Sequence, residues 1–165
     1  MQHLHAVSRE DESESGFTLI ELMVVVMIIA ILITVLIPTF MGAKKRAQDR
    51  AMQSSLRNAL TAAKVVYTDH GDYTFATVAA LSTAEPAISF VAAGTTPTGQ
   101  NMVSVNPASA SYIVMAGQSN SGACFFLEDD ESAAGVGVEY ASGSASSCSA
   151  SLAPAAGNPA WSSAW

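Results

Sequence analysis

Residues 22–43 carry no charged side chain, and a single carboxylate, Glu21, stands at the N-terminal edge of that run. At about 1.5 Å of rise per residue the run forms a rod roughly 33 Å long, enough to cross the hydrocarbon core of a bilayer. This one segment restricts the fold more than anything else in the chain. A carboxylate beside such a rod is expensive, by about 2.5–3.5 kcal/mol at the bilayer centre and less near an interface. A residue that costly calls for a partner, and the next basic residue along the chain is Lys44.

The 165 residues fit one domain plus an appendage. Charge is distributed unevenly. All seven basic residues lie between Arg9 and Lys64, and six of them fall between Lys44 and Lys64. Beyond Lys64 the chain carries acidic residues only, for a formal charge of −8. A segment without Lys or Arg has no side chains with which to neutralise phosphates, so nucleic-acid binding by this half is not expected.

Residues 1–16 are polar, acidic and aperiodic, and read as a leader. An ordinary secretory signal has a basic start, a shorter apolar core and a small-residue cleavage site after it, and this N-terminus has none of these. After the apolar run, Met52, Leu56, Ala59, Leu60, Ala63, Val66 and Tyr67 recur at three- and four-residue steps, the stripe of an amphipathic helix. The pattern predicts one near-continuous helix from 17 to about 68, roughly 78 Å long. Pro38 and Gly42 weaken it and predict a kink or a locally unwound stretch. Gly71 is the expected cap. A connector follows, with a short helix near 76–81 and a possible strand at 88–92. Further strands are expected at 102–105, 112–116, 123–128 and 136–140, and a Ser/Ala/Gly-rich tail ends in Trp161 and Trp165. The predicted class is α+β: a small antiparallel sheet packed on the second half of the long helix, with the tail packing only through its tryptophans.

Gly16-Phe17-Thr18-Leu19-Ile20-Glu21-Leu22-Met23-Val24-Val25-Val26 closely resembles the processing site and N-terminal helix of type IV prepilins, and Pro38 falls where that family has a helix-breaking proline. The resemblance implies four parts. These are a leader at 1–16, a transmembrane or filament-core helix at 17–43, an amphipathic helix at 44–68 and a sheet head at 69–165. It implies cleavage between Gly16 and Phe17 by a membrane prepilin peptidase, then N-methylation of Phe17. The mature chain would wait in the membrane with its head outside. An assembly platform would then extract it into a filament made of copies of itself. Glu21 would pair with the Phe17 amine of a neighbour and set the axial register, or would stay at headgroup level and bind water. Thr18 would cap the helix start or add a hydrogen bond beside the Phe17 amine. Gly16 lets a protease cleft approach the scissile backbone closely. If the head is exported, Cys124 and Cys148 form a disulfide; in a cytosolic protein they would be free thiols.

Two features depart from the family pattern. The leader is acidic where relatives carry Lys or Arg, and Lys44-Lys45-Arg46 follows the apolar run. The positive-inside rule alone would place the C-terminal half in the cytoplasm; the resemblance and the cysteine pair place it outside. Glu128-Asp129-Asp130-Glu131 is a weak candidate for a hard cation, since clustered carboxylates suit calcium, but charge runs are mostly solvated turns. His70 reads as a turn residue. No Ser-His-Asp or Cys-His arrangement and no phosphate-binding glycine loop is found, so neither an enzyme nor a cofactor is expected. The leading function is a structural subunit of a type IV pilus. The alternatives are a pseudopilin of a secretion or DNA-uptake machine and a single-pass anchored protein that does not polymerise.

Overall fold

A helix of 52 residues, α1 (Leu19–His70), opens the described part of the chain. The computed structural model describes residues 16–143, 148–154 and 160–165, so the leader expectations for 1–15 lie outside the described residues. The chain divides into two units, Met1–Phe40 and Met41–Trp165. The first described residues of α1 present Leu, Ile, Val and Met side chains that are exposed all round. Helical assignment runs through Pro38 and Gly42, so the locally unwound stretch does not occur.

The second unit is built on the amphipathic half of α1. Met52, Leu56, Ala59, Leu60, Ala63 and Val66 are buried, as the stripe predicts, and Ala62 and Ser55 join them. Gly71 ends the helix in the left-handed region, with φ of 69°, where a glycine avoids the Cβ clash. Its amide donates to the Tyr67 carbonyl at 2.6 Å. Asp72 then caps a short 3-10 turn, Tyr73–Phe75, by accepting from the Thr74 amide at 2.6 Å. Thr77 caps α2 (Val78–Ala84), which begins two residues later than expected and stops before Pro86.

Five strands form one sheet in chain order: β1 (Ser89–Ala92), β2 (Met102–Pro107), β3 (Tyr112–Gln118), β4 (Cys124–Asp130) and β5 (Gly137–Gly143). The sheet is antiparallel from β2 to β5. The β1–β2 pair is parallel, so the antiparallel sheet that was expected carries one parallel pair at its edge. The reason lies in the nine residues between these two strands. A two-residue hairpin would reverse the chain, whereas this longer connection carries it back to the same end of the sheet.

Strand alternation gives the sheet two buried faces. Ile113, Met115, Phe125 and Leu127 belong to the cluster built on α1. Gly117 lies over Met52, and a Cβ there would come within 2.2 Å of the Met52 Cε atom. Val114, Ala116, Phe126 and Ala141 face the other way and are covered by Cys148, Ala150 and Trp161. The tail therefore packs through more than its tryptophans. It also pairs with edge strand β5, since Tyr140 and Ser162 exchange both backbone hydrogen bonds, at 2.8 and 2.9 Å. Trp165 meets Phe125 edge to face and Tyr140 at a tilt, and lies under the Arg57 guanidinium at 5.0 Å.

Cys124 and Cys148 are joined in a disulfide that ties β4 to the tail. Their separation of 24 residues closes a loop worth about 3.5 kcal/mol on the chain-entropy account. Reduction, or Cys148→Ser, should therefore lower the urea midpoint of the full-length protein in detergent by a stability equivalent of about 3 kcal/mol. Trp161 fluorescence should report the loosened tail at lower urea than the far-UV signal of α1.

Candidate functional site

The residues preceding α1 are placed by an N-cap. Thr18 Oγ1 accepts from the Glu21 amide at 3.2 Å, and the Thr18 carbonyl accepts from Glu21 and Leu22 at 3.1 and 3.2 Å. Thr18-Leu19-Ile20-Glu21 has the spacing of a capping box, and an acidic residue in the first turn also suits the helix dipole. Of the two roles expected for Thr18, capping is the one seen within the chain. Glu21 and Phe17 are exposed, Phe17 at 81%. Among the described residues Glu21 makes no ion pair. Phe17 still follows Gly16 in the uncut chain, so its nitrogen is an amide and carries no charge.

This leaves a capped rod whose sides are apolar and uncovered, with one carboxylate a turn from its start. In water that surface is unfavourable at about 25 cal/mol per Å2. Its chemistry is that of insertion and packing.

The acidic run is not a solvated turn. Glu128, Asp129 and Asp130 lie in β4, and Glu128 and Asp129 are buried on opposite faces of the sheet. Alternation drives them apart, and among the described residues no group of three or more His, Cys, Asp or Glu converges on a common position. On one face the Tyr112 hydroxyl donates to the Glu128 carboxylate, and Glu139 stands opposite Glu128 in the β4–β5 register. On the other face the Tyr73 hydroxyl donates to Asp129. Lys64 reaches Asp129 at 3.1 Å and Glu131 at 2.7 Å. Tyr73, Tyr112, Lys64 and Glu139 were not legible as partners from the sequence. The only available signal was the apolar run 125–127 leading directly into the acids, which extends a strand into them.

Burial pushes the Glu128 carboxyl up and the Tyr112 hydroxyl pulls it back. Glu139 and Asp130 push it further, so that it titrates at about 6 rather than 4.5. Burial and the adjacent carboxylates hold both tyrosine hydroxyls well above their usual range. The sign for Glu128 follows from linkage. The folded state holds this proton more tightly than the unfolded chain, so stability is greatest below pH 4.5 and falls as pH rises to about 6. Glu128→Gln removes the penalty. Its stability advantage over wild type should grow from near zero at pH 4.5 to about 1–2 kcal/mol at pH 7, read from urea titrations at both pH values.

Residues 13–37 match the family model of the prokaryotic N-terminal methylation motif, the class III signal of type IV pilins and pseudopilins. The match contains Gly16, Phe17 and Glu21 and ends one residue before Pro38. No curated protein and no solved structure matches the chain.

Proposed function

We propose that this chain is a structural subunit of a type IV pilus. It is cut between Gly16 and Phe17, methylated on Phe17, held in the membrane by its apolar helix with the head outside, and then polymerised through that helix into an extracellular filament. The observation that carries the reading is the methylation motif at 13–37 lying on a capped helix whose apolar sides are exposed. Such a surface needs lipid before assembly and neighbouring helices afterwards. The head's disulfide suits an oxidising compartment. Its lack of basic residues beyond Lys64 suits a subunit that meets other proteins rather than nucleic acid.

Mass spectrometry of the protein from its native membrane tests the reading. The expected product is a chain beginning at N-methyl-Phe17. An intact Met1 would leave a plain membrane anchor. Electron microscopy of cells with and without the gene then separates a pilus from a pseudopilin machine: surface filaments lost on deletion support the pilus. Protease digestion of spheroplasts should remove the head, and a fully protected head would reverse the orientation.

A further inference from the structure

We infer that Lys44 and Lys45 form, with the β3–β4 turn, a seat for the phosphate of an anionic phospholipid headgroup. A cavity of about 220 Å3 lies between α1 and that turn, lined by Met41, Lys44, Lys45, Gln48, Asn120 and Ser121. Its turn side is held in place by a chain of hydrogen bonds. Gln100 donates to the Gln48 carbonyl at 3.0 Å, and Asn120 donates to Gln100 at 3.2 Å. The Ser121 hydroxyl donates to the Asp49 carboxylate, which ties up that oxygen. On the helix side neither lysine makes an ion pair among the described residues, and both are exposed. Two lysines that make no ion pair among the described residues therefore share a cavity with a hydrogen-bonded polar turn, with Met41 as an apolar neighbour.

Position along the chain selects the ligand. Lys44 is the first charged residue after the uncharged run 22–43. If that run spans the bilayer, Lys44 and Lys45 emerge at the level of the headgroups, where lysine stems lie along apolar surface and the ammonium groups reach phosphate. Arg46 and Arg50, close by in the chain, are not among the residues lining the cavity and add only to the general positive potential of this stretch. A phosphodiester offers an anion and acceptor oxygens that two ammonium groups and an amide can share. This also gives a use to a basic cluster that the positive-inside rule leaves unexplained in an exported head. The inference rests on residues 22–43 spanning the membrane and does not depend on polymerisation.

The test uses full-length protein in phosphatidylcholine vesicles with and without phosphatidylglycerol, followed by detergent release and native mass spectrometry of retained lipid. Wild type should retain phosphatidylglycerol over phosphatidylcholine. Lys44→Gln/Lys45→Gln should lose about tenfold of that preference. Arg46→Gln/Arg50→Gln removes the same charge from nearby in the chain, outside the cavity lining, and should keep most of it. Equal loss in both variants would mean a diffuse field and overturn the seat, as would equal retention of the two lipids by wild type. Inorganic phosphate added to the phosphatidylcholine sample should leave the lysine NMR signals unmoved. Saturable shifts with phosphate alone, without lipid preference, would assign the cavity to free phosphate and overturn the headgroup. A thermal transition unchanged in both variants ensures that the comparison is made on folded heads. Loss of filaments in any variant bears on the proposed function and not on this seat.

Discussion

Glu21→Ala should leave the subunit in the membrane at normal level and remove it from filaments. Among the described residues of the single chain Glu21 is exposed and makes no ion pair. Packing the apolar sides of many copies together takes that carboxylate out of water, and only a cation or strong donor in the bundle can compensate. Lys44 is the next basic residue along the chain, more than twenty positions away. Cleavage after Gly16 creates a closer cation, because it turns the Phe17 amide into an amine. On the proposed function, pairing that amine with a neighbour's Glu21 would fix axial register. Deleting one member of a buried pair costs about 3–5 kcal/mol, or about two to three and a half orders of magnitude in the equilibrium for adding a subunit. In Glu21→Ala the charge left unpaired is the neighbour-facing amine. In a subunit that cannot be cut, it is Glu21 itself. Both should fail to assemble, for opposite reasons. The measurement is co-expression of tagged variant with wild type, comparing tag in sheared filaments with tag in membranes. Thr18→Ala provides a scale: loss of an N-cap costs about 1 kcal/mol and should reduce incorporation only mildly. If Glu21→Ala entered filaments as readily as wild type, the pairing would be wrong and Glu21 would be a headgroup-level residue.

The parts of this molecule that could be read in the sequence are those set by short-range periodicity. The stripe from Met52 to Val66 placed the buried face of α1, and Gly71 placed its end. Strand positions followed from turn residues, with ends extended by two residues or so once pairing was available to continue them. What failed depended on contacts between distant residues. The direction of β1 depends on how its connection to β2 packs, and no residue in β1 encodes it. The acids at 128–131 read as a solvated turn because their partners lie elsewhere. Tyr73 comes from the turn after α1, Tyr112 from β3, and Lys64 from α1. Charge alone predicts exposure; a hydroxyl and an ammonium supplied from elsewhere in the fold make burial tolerable. The methylation motif at residues 13–37 was legible for a different reason: Gly16, Phe17, Thr18 and Glu21 lie within one short segment, so no distant contact is needed to recognise it.

Lys64→Met should cost the head about 3 kcal/mol or more, and Asp129→Asn in the same chain should restore much of it. Asp129 is fully buried, one of its oxygens has no partner, and the other is shared by the Tyr73 hydroxyl and the Lys64 ammonium. Removing Lys64 leaves a buried carboxylate held by one neutral donor, and an uncompensated buried charge typically costs about 3–5 kcal/mol. Lys64 is itself 42% exposed, which puts the expectation at the lower end of that range. Tyr73→Phe removes one hydrogen bond to a charged group and should cost about 1.5–3 kcal/mol. Asparagine at 129 keeps the shape without the charge, so the double variant should be more stable than Lys64→Met alone, a coupling of at least about 1 kcal/mol. Urea titration of the four chains in one detergent measures it. Strict additivity would mean that the Lys64–Asp129 contact is a screened surface pair. Burial pulls the Lys64 ammonium down, but its hydrogen bonds to Glu131 and Asp129 outweigh this and hold it above 10.5. Its contribution is therefore fully present below pH 10.5 and is lost only as pH rises past the folded value. The Lys64→Met deficit should accordingly stay constant between pH 7 and 9, across the range where the Glu128 effect has already levelled off. The two buried acids of β4 therefore differ in what faces them: Asp129 meets a cation from α1, and Glu128 stands opposite Glu139 of β5.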